Sequence, residues 1–177
     1  MRVFLTGFMG SGKTTVGSLC ADRLGRPLVD TDELVETSAG ASVAEIFATA
    51  GEARFRALER RAVADACASP RPLVIACGGG AVLDVQSRDA IRATGVVVWL
   101  QASPHALAER VVAAREAGEG AIRPLLEGGA PTATLERLAR TRAAAYEAAA
   151  HAVIDAEHGT PAEVADAVLE EYARCGA

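Results

Sequence analysis

Asparagine is absent from the 177 residues, and lysine occurs once, at position 13. The other 17 basic residues are arginine, as codon bias in a GC-rich genome would produce. That bias accounts for the rarity of lysine but not for where the single one stands. Aromatic residues are scarce at 4%, so the core has to be assembled from Val, Leu, Ile and Ala. The four cysteines, Cys20, Cys67, Cys77 and Cys175, form no CxxC pair, and His105, His151 and His158 are not spaced as zinc ligands. Disulfide frameworks and zinc modules are thereby set aside, and free thiols in a reducing cytoplasm are the expectation. Cys77 is read as a buried small hydrophobe. No apolar run approaches the roughly 20 residues that span a bilayer. The N-terminus runs from Met1 straight into a strand-like segment, without a charged region, an apolar stretch and a cleavage site in series, so no signal peptide is expected. A basic excess is missing too: 18 Lys+Arg face 23 Asp+Glu, for a net charge of -5. That balance argues against nucleic acid or an anionic membrane as the main partner.

What is present reads as one domain over 1–177. A chain of this size buries roughly 70% of its unfolded surface without needing a staple. Strand-like and helix-like segments alternate. Strands are expected at Arg2–Thr6, Pro27–Asp30, Leu73–Cys77, Gly95–Leu100 and His151–Ile154. Helices are expected at Lys13–Leu24, Glu33–Ser38, Ser42–Thr49, Glu52–Ala68, Asp84–Ala93, Pro104–Arg115 with Ser103 as N-cap, Thr132–Ala150 and Pro161–Ala173. The nearly continuous apolar run GVVVWL at Gly95–Leu100 is what a strand buried on both faces requires. Alternation of this kind implies an α/β fold, a mostly parallel sheet covered on both sides. The stretch from Ala117 to Pro131 interrupts it, with Gly118, Gly120, Pro124, Gly128, Gly129 and Pro131.

Between the first strand and the first helix lies Gly7-Phe8-Met9-Gly10-Ser11-Gly12-Lys13-Thr14, which fits G-x-x-x-x-G-K-[ST] in the context that makes it a P-loop. Glycines let backbone N–H groups turn inward around a phosphate, and the helix that follows directs its positive end at the same anion. The only lysine occupies the position that needs one. Gly10, Ser11, Gly12, Lys13, Thr14 and Thr15 are the ATP-binding candidates. Lys13 is placed to bridge the β- and γ-phosphates, and Thr14 to ligate Mg2+. The glycines do not space as G-x-G-x-x-G, which disfavours a dinucleotide fold. A GTPase reads guanine with a motif that needs a second lysine, and the chain has none. Motor-type and hexameric ATPases need longer chains. A small kinase is the class that remains.

Five further pieces follow the P-loop in order: Asp30-Thr31-Asp32, Phe55-Arg56, Gly78-Gly79-Gly80, Arg123-Pro124-Leu125-Leu126, and Arg142 with Tyr146 four residues on. Each is weak alone. The ordered set, over nearly the whole chain, resembles the shikimate kinase family. That resemblance implies a three-layer α/β/α P-loop kinase with a five-stranded parallel sheet in the order 2-3-1-4-5. It implies a substrate-binding region at about 31–61 and a lid at about 113–126. The activity it implies is transfer of the γ-phosphoryl group of MgATP to the 3-hydroxyl of shikimate, a step of aromatic amino-acid biosynthesis, by a cytoplasmic monomer.

The residue roles are carried over with it. Arg56 and Arg142 grip the substrate carboxylate, a task suited to guanidinium forks. Asp32 accepts from the substrate hydroxyls and stands near enough to take the attacking proton. Gly78, Gly79 and Gly80 bring backbone N–H groups to the substrate with no Cβ in the way. Asp30 stands near the magnesium, Arg123 reaches the transferring phosphoryl group from the lid, and Arg110 stacks on the adenine. Two other readings stay open: a kinase for another hydroxylated acid such as gluconate, and a nucleotide-binding regulatory protein without catalysis. Retention of Arg56, Arg142 and the triple glycine speaks against the first, and retention of Asp32 and Arg123 against the second.

Overall fold

The computed structural model of the chain describes residues 1–118 and 130–176. Five strands, β1 (Arg2–Thr6), β2 (Leu28–Asp30), β3 (Val74–Ala76), β4 (Gly95–Gln101) and β5 (Ala152–Asp155), form one sheet in the order β2-β3-β1-β4-β5. Every pairing is parallel. The expected order is borne out. Among the described residues seven helices connect and cover the strands: α1 (Lys13–Leu24), α2 (Thr31–Ala39), α3 (Val43–Ala68), α4 (Val85–Thr94), α5 (Pro104–Glu116), α6 (Pro131–Ala149) and α7 (Pro161–Gly176).

Successive side chains of a strand face opposite sides of a sheet, and the core divides accordingly. Leu5, Val98 and Leu100 join Val16, Cys20, Val164 and Val168 beneath α1 and α7. Phe4, Val97 and Trp99 join Val63, Ile91, Leu135 and Tyr146 beneath α3, α4 and α6. Strand β4 is buried along its length except at Gln101, as the apolar run requires. The scarce aromatics are concentrated: Tyr146 packs between Phe8, at 4.7 Å between ring centroids, and Trp99, at 5.4 Å. A smaller cluster of Val35, Ile46, Phe55, Leu58 and Ala62 fastens α2 to α3.

Local chemistry accounts for the element ends. Ser103 caps α5, its hydroxyl accepting from the Ala106 N–H. Ser42 and Glu45 form a reciprocal capping box at the start of α3. The two helices expected at 42–49 and 52–68 belong to one element, α3, interrupted at Gly51, whose φ of 77° and ψ of 171° are not helical. Helix α2 starts two residues earlier than its composition indicates. Asp30 caps it by accepting from the Asp32 N–H at 2.9 Å, which draws Thr31 and Asp32 into its first turn.

Candidate active site

The strands of a parallel sheet deliver their C-terminal ends to one edge, and ligands bind where the loops there diverge. Three loops meet at this edge: the P-loop after β1, the Asp30–Asp32 turn after β2, and the glycine turn after β3. Within the P-loop, Gly10 and Gly12 have φ of 81° and 83°, a left-handed backbone that favours glycine. Gly12 is also the residue before α1, so the first N–H groups of that helix open into the loop. The Lys13 ammonium donates to the carbonyls of Gly7 and Phe8, at 3.0 Å each. Its charge is thereby held inside the turn. Ser11 is buried, while Thr14 and Thr15 lie exposed at the start of α1.

The Thr14 hydroxyl donates to Asp30 Oδ2 at 3.0 Å, beside the loop. A hydroxyl and a carboxylate in contact are hard oxygen donors of the kind Mg2+ accepts. Asp30 thus has two duties, one oxygen capping α2 and the other on Thr14.

Around the glycine turn the side chains close in. The Gly78 N–H donates to the buried Thr31 Oγ1 at 2.7 Å, which ties the start of α2 to the end of β3. A Cβ on Gly78 would strike Asp32 Oδ1 and come within 3.0 Å of Glu59 Oε1. A Cβ on Gly80 would collide with the Arg56 guanidinium. From α6, Arg142 Nη1 donates to the Gly79 carbonyl at 3.4 Å. Asp32, Arg56 and Arg142, on three different helices, therefore converge on Gly78–Gly80.

The two arginines are held differently. Arg56 pairs with the buried Glu59 at 2.7 Å and with Glu52 at 3.0 Å. Burial lowers the basicity of Arg56, but the charges of Glu59 and Glu52 outweigh it and the guanidinium stays above its ordinary range. Arg142 is half-buried, and among the described residues no carboxylate lies within ion-pair distance of it. Burial first, and the like charge of Arg56 in addition, hold it below its ordinary range. A cation in that position gains from an incoming anion. Arg54, Arg60 and Arg61, the neighbours of Arg56 on α3, are exposed.

In the sequence Tyr146 stands out only as a companion of Arg142. In the structure it is fully buried and its hydroxyl donates to the Gly79 carbonyl at 2.7 Å, with the Gly7 carbonyl at 3.4 Å. It joins the phosphate loop to the glycine turn. Nothing in the sequence announces this, nor the Thr31 contact. Glu59 holds Arg56 from three residues further along α3. Glu52 belongs to none of the sequence motifs, although its i,i+4 spacing to Arg56 is legible. Burial pushes the Cys77 thiol up, as befits a core residue. Arg110 lies apart from this group, its Nη2 donating to the Glu157 carbonyl at 3.1 Å in the loop between β5 and α7. Arg123 lies outside the described residues.

The family model for shikimate kinase matches residues 9–173. A shikimate kinase from Symbiobacterium thermophilum is 46% identical over 99% of this chain and 98% of its own. The structure of a shikimate kinase from Acinetobacter baumannii in complex with shikimate superposes with a TM-score of 0.87, at 32% identity over 96% of this chain and 90% of that one. A gluconokinase from Sinorhizobium meliloti superposes at a TM-score of 0.59 and 22% identity, covering 98% of this chain and 92% of its own, a likeness of fold alone. A phosphate loop, a glycine turn ringed by two arginines and an aspartate, and these matches lead to one conclusion: the chain belongs to the shikimate kinase family.

Proposed function

We propose that the protein transfers the γ-phosphoryl group of MgATP to the 3-hydroxyl of shikimate, giving shikimate 3-phosphate and ADP, as a step in aromatic amino-acid biosynthesis. The observation that carries this reading is the convergence of Asp32, Arg56 and Arg142 on the Gly78–Gly80 turn, joined through Tyr146 to the phosphate loop. Two guanidinium groups match one ring carboxylate. The nearby carboxylate of Asp32 matches ring hydroxyls.

The chain's own residues divide the work. The loop N–H groups at Gly10, Ser11 and Gly12 and the α1 terminus cradle the phosphates. Lys13 exchanges its carbonyl contacts for phosphate oxygens and offsets the charge that builds on the γ-group. Arg56 and Arg142 fix the substrate carboxylate, which leaves the opposite ring hydroxyls facing Asp32. Asp32 accepts a hydrogen bond from the attacking hydroxyl, orienting it and giving its proton a place to go. Thr14 and Asp30 would hold Mg2+, which when bound supplies charge neutralisation at the β- and γ-phosphates. Arg110 serves the adenine. Arg123, in a lid at about 113–126, serves the transferring group, and the protein works as a cytoplasmic monomer of one domain.

A coupled assay of ADP release tests the reading. Shikimate should raise turnover strongly over the ATP-only background, and gluconate should not. Arg56→Ala should raise the KM for shikimate far more than that for ATP. Equal losses for both substrates would remove Arg56 from the role given to it.

A further inference from the structure

The guanidinium of Arg56 is restrained on three sides. Glu59 Oε2 accepts from Nη1 at 2.7 Å. Glu52 Oε1 accepts from both Nε, at 3.2 Å, and Nη2, at 3.0 Å. The Phe55 ring centroid lies 5.2 Å from Cζ. A guanidinium has five N–H donors in a rigid plane. These contacts use three, and one donor remains on each of Nη1 and Nη2, the two atoms of the terminal fork. A planar carboxylate needs one donor for each of its oxygens.

We infer that Glu52 is a positioning residue for substrate binding, which turns the Arg56 plane so that its terminal fork faces the carboxylate of the substrate. This rests on the reading above, in which Arg56 grips that carboxylate. Glu59 touches one terminal nitrogen, and a single contact leaves the plane free to pivot about it. The Glu52 oxygen bridges two nitrogens along the neighbouring edge and removes that pivot. The backbone break at Gly51 makes this reach available. It ends the first segment of α3, so Glu52 opens the second, one turn before Arg56. The start of a helical segment also favours a carboxylate. The Glu52 side chain is 57% exposed. An exposed i,i+4 pair adds little to stability, so the effect of Glu52 belongs in binding rather than in folding.

The test measures shikimate binding by calorimetry, and steady-state kinetics, for the full chain and for Glu52→Ala and Glu52→Gln. Glu52→Ala should weaken shikimate about tenfold, in Kd and in KM, through loss of a charge-assisted contact that orients the fork. The KM for ATP, kcat at saturating shikimate and the thermal midpoint should stay at their original values. Glu52→Gln keeps an amide oxygen able to accept from both nitrogens and should recover most of the affinity. Unchanged or tighter shikimate binding in Glu52→Ala overturns the inference while the substrate assignment stands, as does a Glu52→Gln variant no better than alanine. If the unsubstituted protein does not bind shikimate, the substrate assignment and this inference fall together.

Discussion

The Tyr146 hydroxyl donates to the Gly79 carbonyl at 2.7 Å, across 67 positions of sequence. The bond crosses from α6 to the turn after β3, and the Gly7 carbonyl lies 3.4 Å from the same hydroxyl. The phosphate loop and the glycine turn thus share one buried anchor. Their spacing is set by a rigid aromatic side chain rather than by loop backbone alone.

Tyr146→Phe should keep the ring packing against Phe8 and Trp99 and remove only the hydroxyl. The partly buried Gly79 carbonyl then keeps, among the described residues, just the long Arg142 contact, at a cost of about 1 kcal/mol in urea unfolding. Because two loops lose their common anchor, the KM values of both substrates should rise together. A loss confined to stability would make the anchor purely structural.

Lys13→Ala should lower turnover by about a thousandfold, the scale of losing a preorganised donor to developing charge. Its carbonyl partners keep other donors, Phe8 the Ser11 N–H at 3.1 Å and Gly7 the Tyr146 hydroxyl at 3.4 Å, so the circular dichroism spectrum should be unchanged. Turnover near that of the unsubstituted protein would remove Lys13 from the reaction.

Gly80→Ala places a Cβ against the Arg56 guanidinium and 2.9 Å from Glu59 Oε2. Arg56 is pinned by two carboxylates and cannot simply step aside. The variant should raise the KM for shikimate about tenfold and lose roughly 1–3 kcal/mol of stability through overpacking. The KM for ATP should barely move. An unaltered shikimate KM would show that the Arg56 head group is free to relocate.

The thiols should differ sharply in reactivity. Burial pushes the Cys20 thiol up to about 11, and moves Cys77 in the same direction. A raised pKa means less thiolate, and thiolate is the form that alkylates. Iodoacetamide at about pH 8, near an ordinary thiol pKa, should label the exposed Cys175 first and spare Cys20 and Cys77 until the protein is unfolded. Peptide mass spectrometry reads this directly. Labelling of Cys77 at the rate of Cys175 would contradict its burial.

What could be read from the chain alone is whatever depends on neighbours in sequence. The alternation of β-rich and amphipathic segments, the Ser103 cap, the apolar run of β4 and the P-loop spacing are local patterns, and the local backbone obeys them. The ordered motifs, through their family resemblance, also singled out Arg56 and Arg142. Which arginine of α3 turns inward is a different kind of fact. Arg54, Arg56, Arg60 and Arg61 look alike as residues, and only the phase of the helix against the sheet selects Arg56. The meeting of Arg142 with Gly79 spans 63 positions and that of Thr31 with Gly78 spans 47. Those contacts exist because parallel strands bring their C-terminal ends to one edge. The tertiary fold alone decided that Tyr146 would tie the two loops, since that follows from how helices pack, and packing is settled by the whole core at once.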